Sequence, residues 1–151
     1  MATIRRAAPA DALLILSISH EAYTAAYLAT IGGVPKPATE DYGPRIERGE
    51  VCVLADAGRP AGVLVLEVKP AHLFVYSVAI RPEHQGKGHG AALLAFAEQH
   101  ARASGLPALQ LHTNQRMTRN IALYRRSGFV QIDSRAHHRL TGEVLIDMEK
   151  G

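Results

Sequence analysis

The stretch from Leu73 to Gly105 constrains this chain most: an apolar strand, a glycine-rich turn, then a long amphipathic helix. Leu73-Phe74-Val75-Tyr76-Ser77-Val78-Ala79-Ile80 is rich in β-branched and aromatic residues, which suit a pleated, buried surface. Arg81-Pro82 stops it, because proline has no amide hydrogen to give a central strand. Gln85-Gly86-Lys87-Gly88-His89-Gly90 follows, with glycine at every second position, and Gly90, Leu93, Leu94, Ala97 and Ala101 then fall on one helix face. Glycines ahead of a helix leave its first amide hydrogens uncovered where the macrodipole is positive, which makes a cradle for phosphate.

Spacing separates the phosphate-cradling classes. A dinucleotide fingerprint needs G-x-G-x-x-G, whereas these glycines read G-x-G-x-G with no acidic residue ending a following strand. An ATPase-type loop needs Gly-Lys followed by Ser or Thr to hold magnesium; here Gly86-Lys87 is followed by Gly88. A Gln/Arg-x-x-Gly-x-Gly/Ala pattern does fit, on Gln85, Gly88 and Gly90. By itself the hexapeptide suits a ligand turn and a bare strand-to-helix connection alike. With this pattern the chain resembles the GNAT-type N-acetyltransferases, whose acyl-coenzyme A pyrophosphate rests on that turn. Asn120-Ile121-Ala122-Leu123-Tyr124-Arg125-Arg126-Ser127-Gly128-Phe129 resembles the later motif of the same family, in which a helix tyrosine precedes Gly-Phe. Val78-Ala79-Ile80 stands ahead of both in the matching order, and Ile4-Arg5-Arg6-Ala7 through Asp11 resembles the family's start.

At 151 residues the chain is expected to form one domain, spanning 1–151, with a single core. No apolar run is long enough to cross a bilayer, and the start lacks the clean apolar segment and cleavage site of a signal peptide. The lone cysteine, Cys52, has no internal disulfide partner, so a reducing, cytoplasmic address is expected. A net charge of +3 with scattered arginines lacks the concentrated basic residues and interleaved aromatics of a nucleic-acid binder. Neither nucleic acid nor membrane is expected as a partner.

In chain order, Thr3 to Arg6 reads as a strand and Pro9 to Tyr27 as a helix, with Leu14, Ile18, Ala22 and Ala25 as its apolar stripe. Leu28 to Thr39 reads as a loop, and Thr39-Glu40-Asp41 as the cap of a short helix ending near Gly49. Val51–Ala55 and Ala61–Val68 form a hairpin around Ala57-Gly58-Arg59-Pro60. After the long helix, Ala108–Thr113 is the next strand, and strand–helix–strand implies a parallel pair with a right-handed crossover. Arg116 to Ser127 is a second helix closed by Gly128, and Phe129–Ile132 and Glu143–Met148 form a terminal antiparallel pair around a loop from Arg135 to Gly142. The expected class is a mixed α/β sheet flanked by helices. The resemblance refines it to a mostly antiparallel sheet with one splayed parallel pair.

The resemblance implies acetyl transfer from acetyl-coenzyme A to a primary amine in a ternary complex; the alternative is a non-catalytic acyl-coenzyme A-binding regulatory module. It carries cofactor contacts to Val78, Ala79, Ile80, Gln85, Gly86, Lys87, Gly88, His89, Gly90 and Ala91, with unpaired backbone along Val78 to Ile80 receiving the pantetheine arm. Tyr124 takes the role of the family's tyrosine, the acid that protonates the leaving thiolate. The Val78 amide could polarise the thioester carbonyl. An alkyl amine arrives protonated, so a base is also needed. His112 is the first candidate, with Glu67, Tyr76 and a water chain as rivals. Where relatives often carry Asn, seven residues before the tyrosine, this chain has Met117; Asn120 then either binds cofactor or faces solvent.

No metal is expected, because no cysteine or carboxylate cluster completes a zinc spacing around His137-His138 and Arg139. His20, His72, His84 and His100 are read as surface. Arg116, Arg119, Arg125 and Arg126 read as a solvated helix face. The acceptor pocket is expected between the first helix, the loop 28–39 and the loop 135–142. Glu21, Tyr23, Tyr27 and Tyr42 are on hand there for a cationic amine, either a small molecule or a protein. Dimerisation, common in the family, is left open.

Overall fold

The computed structural model describes residues 1–31, 33–137 and 142–151. In chain order the elements are β1 (Ala2–Arg6), α1 (Ala12–Thr30), α2 (Gly43–Glu47), β2 (Val51–Asp56), β3 (Arg59–Val68), β4 (Leu73–Ile80), α3 (His89–Ala103), β5 (Leu109–Asn114), α4 (Thr118–Arg126), β6 (Val130–Ala136) and β7 (Val144–Lys150). The strands form one seven-stranded sheet in the order β1-β2-β3-β4-β5-β7-β6. It is mostly antiparallel, with β4 and β5 as its parallel pair. By its own contacts the chain divides into two compact units, Met1–Leu66 with Ser77–Leu93, and Glu67–Tyr76 with Leu94–Gly151.

In the first unit β1, β2 and β3 form an antiparallel meander, with Ala2 opposite Asp56 and Val51 opposite Val65. The β2–β3 hairpin turns on Ala57 and Gly58, both at positive φ (50° and 81°), the mirror-image turn whose twist matches its flanking strands. Alternation along β4 buries Ser77 and Ala79 and leaves Val78 and Ile80 half-buried. Gly62 on β3 sits where neighbours approach closely: a Cβ there would lie 2.7 Å from Ile80 Cδ1 and 3.2 Å from the Ala79 carbonyl oxygen. The stripe of α1 differs from expectation. Ile15, Ile18, Ser19 and Ala22 are buried, Leu14 is half-buried and Ala25 is exposed. Leu13-Leu14-Ile15-Leu16 is apolar all round the helix, so its sequence could not select a face. The second helix is also shorter than expected and starts only at Gly43, after a 3₁₀ turn over Lys36–Ala38.

In the second unit β7 inserts between β5 and β6, pairing antiparallel with both. Met148 on β7 is fully buried, along with Leu73, Leu109, Leu111 and Phe129. The expected loop from Arg135 is corrected: Arg135 and Ala136 continue β6, opposite Leu145 and Val144. Gly32 and the loop residues 138–141, which include His138 and Arg139, lie outside the described residues. The parallel register takes in Leu73↔Leu109 and Phe74↔Gln110, while β4 runs on to Ile80 and β5 to Asn114.

Candidate active site

The residues singled out in the sequence fall into two groups, one in each unit. In the first, Arg81 leaves β4 with its amide still bonded to the Ala61 carbonyl, and a 3₁₀ turn over Pro82–His84 leads into the glycine turn. Gly86 and Gly88 stand at φ +78° and +83°, in the left-handed region that disfavours any residue with a Cβ. No heavy atom lies within 4 Å of where their Cβ atoms would sit, so backbone conformation and not space calls for glycine. The turn delivers the chain into α3, whose first amides, from His89, Gly90 and Ala91, have no carbonyl of a preceding helical turn to bond. Gln85, Gly86, Lys87 and Gly88 are exposed, as an anion cradle requires.

Two backbone groups of the β4 stretch expected to stand unpaired, at Val78 and Ile80, meet side chains of the same unit. Gln85 Nε2 donates to the Ile80 carbonyl at 3.2 Å, and the Tyr23 hydroxyl bonds Ser77 Oγ at 2.8 Å. Burial pushes the Tyr23 phenol pKa up, against the lowering effect of its bonds to Ser77 and the Val78 backbone. Two residues assigned to greet an amine are likewise committed: Glu21 is ion-paired with Arg81, and Tyr42 is buried with its hydroxyl on the Pro37 carbonyl. Tyr23 and Tyr27 pack edge-on, 5.9 Å between centroids.

His84 is not a surface residue. Its Nδ1 is shielded from solvent with no hydrogen-bond partner, 3.7 Å from Asp56 Oδ2. The same oxygen lies 3.1 Å from His89 Nε2 and 3.8 Å from Lys87 Nζ. The hydrogen bond from His89 holds the Asp56 carboxyl below its usual range, and the charges of His89, Lys87 and the α-amino group act in the same direction. Sequence reasoning missed Asp56, because it ends a strand 28 residues before His84 and nothing local marks it.

In the second unit Tyr124 sits on the buried face of α4, its ring edge-on to Phe129 with centroids 6.1 Å apart. Asn120 is half-buried one turn earlier on the same helix, and the buried Met117 is the α4 N-cap. Ser127 and Gly128 close the helix, Gly128 at φ +98°. His112 is exposed on β5, packed against Phe74 at 5.3 Å between centroids. Its Nδ1 is 3.4 Å from Arg135 Nη2, and Arg135 holds Asp147 through two bonds of 2.9 and 3.1 Å. A guanidinium can only donate, so in this contact Nδ1 can serve only as the acceptor.

The model of the acetyltransferase (GNAT) family matches residues 17–129. The chain belongs to that family. It is 34% identical to the mycothiol acetyltransferase of Arthrobacter sp. (strain FB24) over 92 residues, which are 57% of this chain and 28% of that protein. The chain thus spans a little over a quarter of that relative's length. Among solved structures it is similar to the PaiA N-acetyltransferase of Thermoplasma acidophilum in complex with coenzyme A, with a TM-score of 0.83 at 17% identity over 99% of this chain and 98% of that one. The YncA protein of Salmonella typhimurium with its cofactor acetyl-CoA gives a TM-score of 0.77 at 23% identity, over 99% of this chain and 92% of that one. No helix among the described residues is long and apolar enough to cross a membrane.

Proposed function

We propose that this chain moves the acetyl group of acetyl-coenzyme A to a primary amine by direct attack, with Tyr124 as the general acid. The observation that carries this is the glycine turn: left-handed Gly86 and Gly88 opening α3, within a chain of the GNAT family. The pyrophosphate would rest on the backbone amides from Gln85 to Ala91, with Lys87 adding charge. The pantetheine amides would run along Val78 to Ile80, in the manner of an added strand. The short parallel register at the start of β4 agrees with a pair that splays to admit such an arm.

The amine nitrogen attacks the thioester carbonyl carbon, the carbon–sulfur bond breaks, and the Tyr124 hydroxyl protonates the departing sulfur. The amine's proton goes to a base, for which His112 is the candidate. For Nδ1 to take that proton, the contact from Arg135 Nη2 must first give way. Asn120 is assigned to the cofactor side of α4. The test is thiol release from acetyl-coenzyme A across a panel of small-molecule and protein amines, with coenzyme binding measured alongside. Turnover with at least one amine, lost in Tyr124→Phe while coenzyme binding persists, is the expected result. Tight coenzyme binding with no turnover on any amine would overturn the catalytic assignment, and no binding at all would remove the cradle too.

A further inference from the structure

Asp56, at the end of β2, His84, in the 3₁₀ turn after β4, and His89, the first residue of α3, converge on one point. Their donor atoms all lie within 4.8 Å of one another. Two of the three separations, 3.1 and 3.7 Å to Asp56 Oδ2, bracket the roughly 3.3 Å between neighbouring ligands that a tetrahedral zinc site with bonds of about 2.0–2.1 Å demands. His84 Nδ1 is a shielded nitrogen with no hydrogen bond, an arrangement that costs free energy unless something binds it. The His89 side chain is also buried, so the His84 Nδ1 atom and the His89 ring are both largely shielded from water.

From these contacts we infer that Asp56, His84 and His89 form a binding site for one divalent ion of the zinc type, with a fourth position open to water. Two imidazoles and a carboxylate are borderline-to-hard donors, the set that suits zinc, nickel or cobalt and not calcium or magnesium. The ion would take the place of the hydrogen bond between His89 Nε2 and Asp56, with any ring hydrogen carried on His89 Nδ1. It must also displace Lys87, whose ammonium is 3.8 Å from the same carboxylate on a half-exposed side chain free to swing outward. His84 and His89 flank the glycine turn in sequence, so an ion held by both would brace its two ends against β2. The site stands on these side chains alone and needs no bound coenzyme.

The experiment is titration of the whole chain, carrying no histidine tag, with zinc by calorimetry and with cobalt by visible absorption. One equivalent should bind in the micromolar range or tighter, with the ligand-field bands of a four- or five-coordinate cobalt ion. His84→Ala and Asp56→Asn, shown to be folded by circular dichroism, should each weaken binding at least about 100-fold, since even indirect partners of metal ligands are worth about 10–100-fold. His72→Ala should leave it unchanged, and Lys87→Met should tighten it by removing the competing cation. Binding no tighter than millimolar, or stoichiometric binding that His84→Ala and Asp56→Asn leave intact, overturns the site.

Discussion

In the first unit the side chains around the glycine turn are spent on the protein itself: Gln85 on the Ile80 carbonyl, His89 on Asp56, Arg81 on Glu21 and Pro60, Tyr23 on Ser77. What that region has to offer an anion is its backbone, held in a conformation that only glycine takes without strain. In the second unit the singled-out groups are side chains, Tyr124 lying against Phe129 and His112 against Phe74. A platform that grips a polyphosphate gains from amides fixed before the ligand arrives, because nothing is left to order on binding. Proton transfer needs a group that can change its protonation, which a backbone amide cannot do. On the function proposed above, the first unit supplies backbone for the anion and the second supplies side chains for proton transfer.

Substitutions can break that division. The largest effect belongs to Tyr124→Phe: kcat should fall about 100-fold or more with coenzyme affinity unchanged, read by thiol-release kinetics and calorimetry. Were affinity to fall instead, the tyrosine would belong to binding and the contrast would fail. Gly88→Ala comes next. Forcing a Cβ to φ +83° costs about 1–2 kcal/mol, so the Michaelis constant for acetyl-coenzyme A should rise roughly tenfold while kcat stays near the parent's. Gln85→Ala removes one hydrogen bond worth about 1 kcal/mol to the Ile80 carbonyl and should raise the same constant several-fold.

The smallest effect tests the internal pairing of the first unit on its own. Arg5 holds Asp11 through two bonds of 2.8 and 3.0 Å, and the Ala8 amide adds a third. Bonded first by Arg5 and then by that amide, the Asp11 carboxyl is lowered from 3.8 to about 2. A depressed carboxyl contributes stability that is complete above its unfolded value and lost as pH falls toward its folded one. The melting temperatures of the parent and Asp11→Asn should therefore differ at neutral pH and converge between about pH 4 and pH 2. A gap that stays constant across that window would show that the charge on Asp11 contributes nothing to stability.

Much of the fold was legible because it is written locally. Leu73–Ile80 was bounded to the residue by its apolar run and by Arg81-Pro82, and the stripe of Leu93, Leu94, Ala97 and Ala101 on α3 is buried as its spacing predicts. Where a segment is apolar on every side, as at Leu13 to Leu16, periodicity loses its power to choose a face. Strand ends were equally hard to place: β6 runs on to Ala136 because β7 pairs with it, and that partner lies across a connection. The glycine turn was found from its spacing. The commitments of Glu21, Tyr42 and Gln85 were not, since each depends on a partner outside its own element or turn.

Local stereochemistry lets a sequence determine where strands and helices stand, that Gly86 and Gly88 take a backbone other residues resist, and that Tyr124 rides a helix closed by Gly128. Only the tertiary structure decided that β7 slides between β5 and β6, and that Asp56, His84 and His89 meet. The reason is range: φ preferences and side-chain periodicity act within a few residues. The meeting of a strand end with a turn 28 positions onward is settled by packing and by the need of buried polar groups for partners.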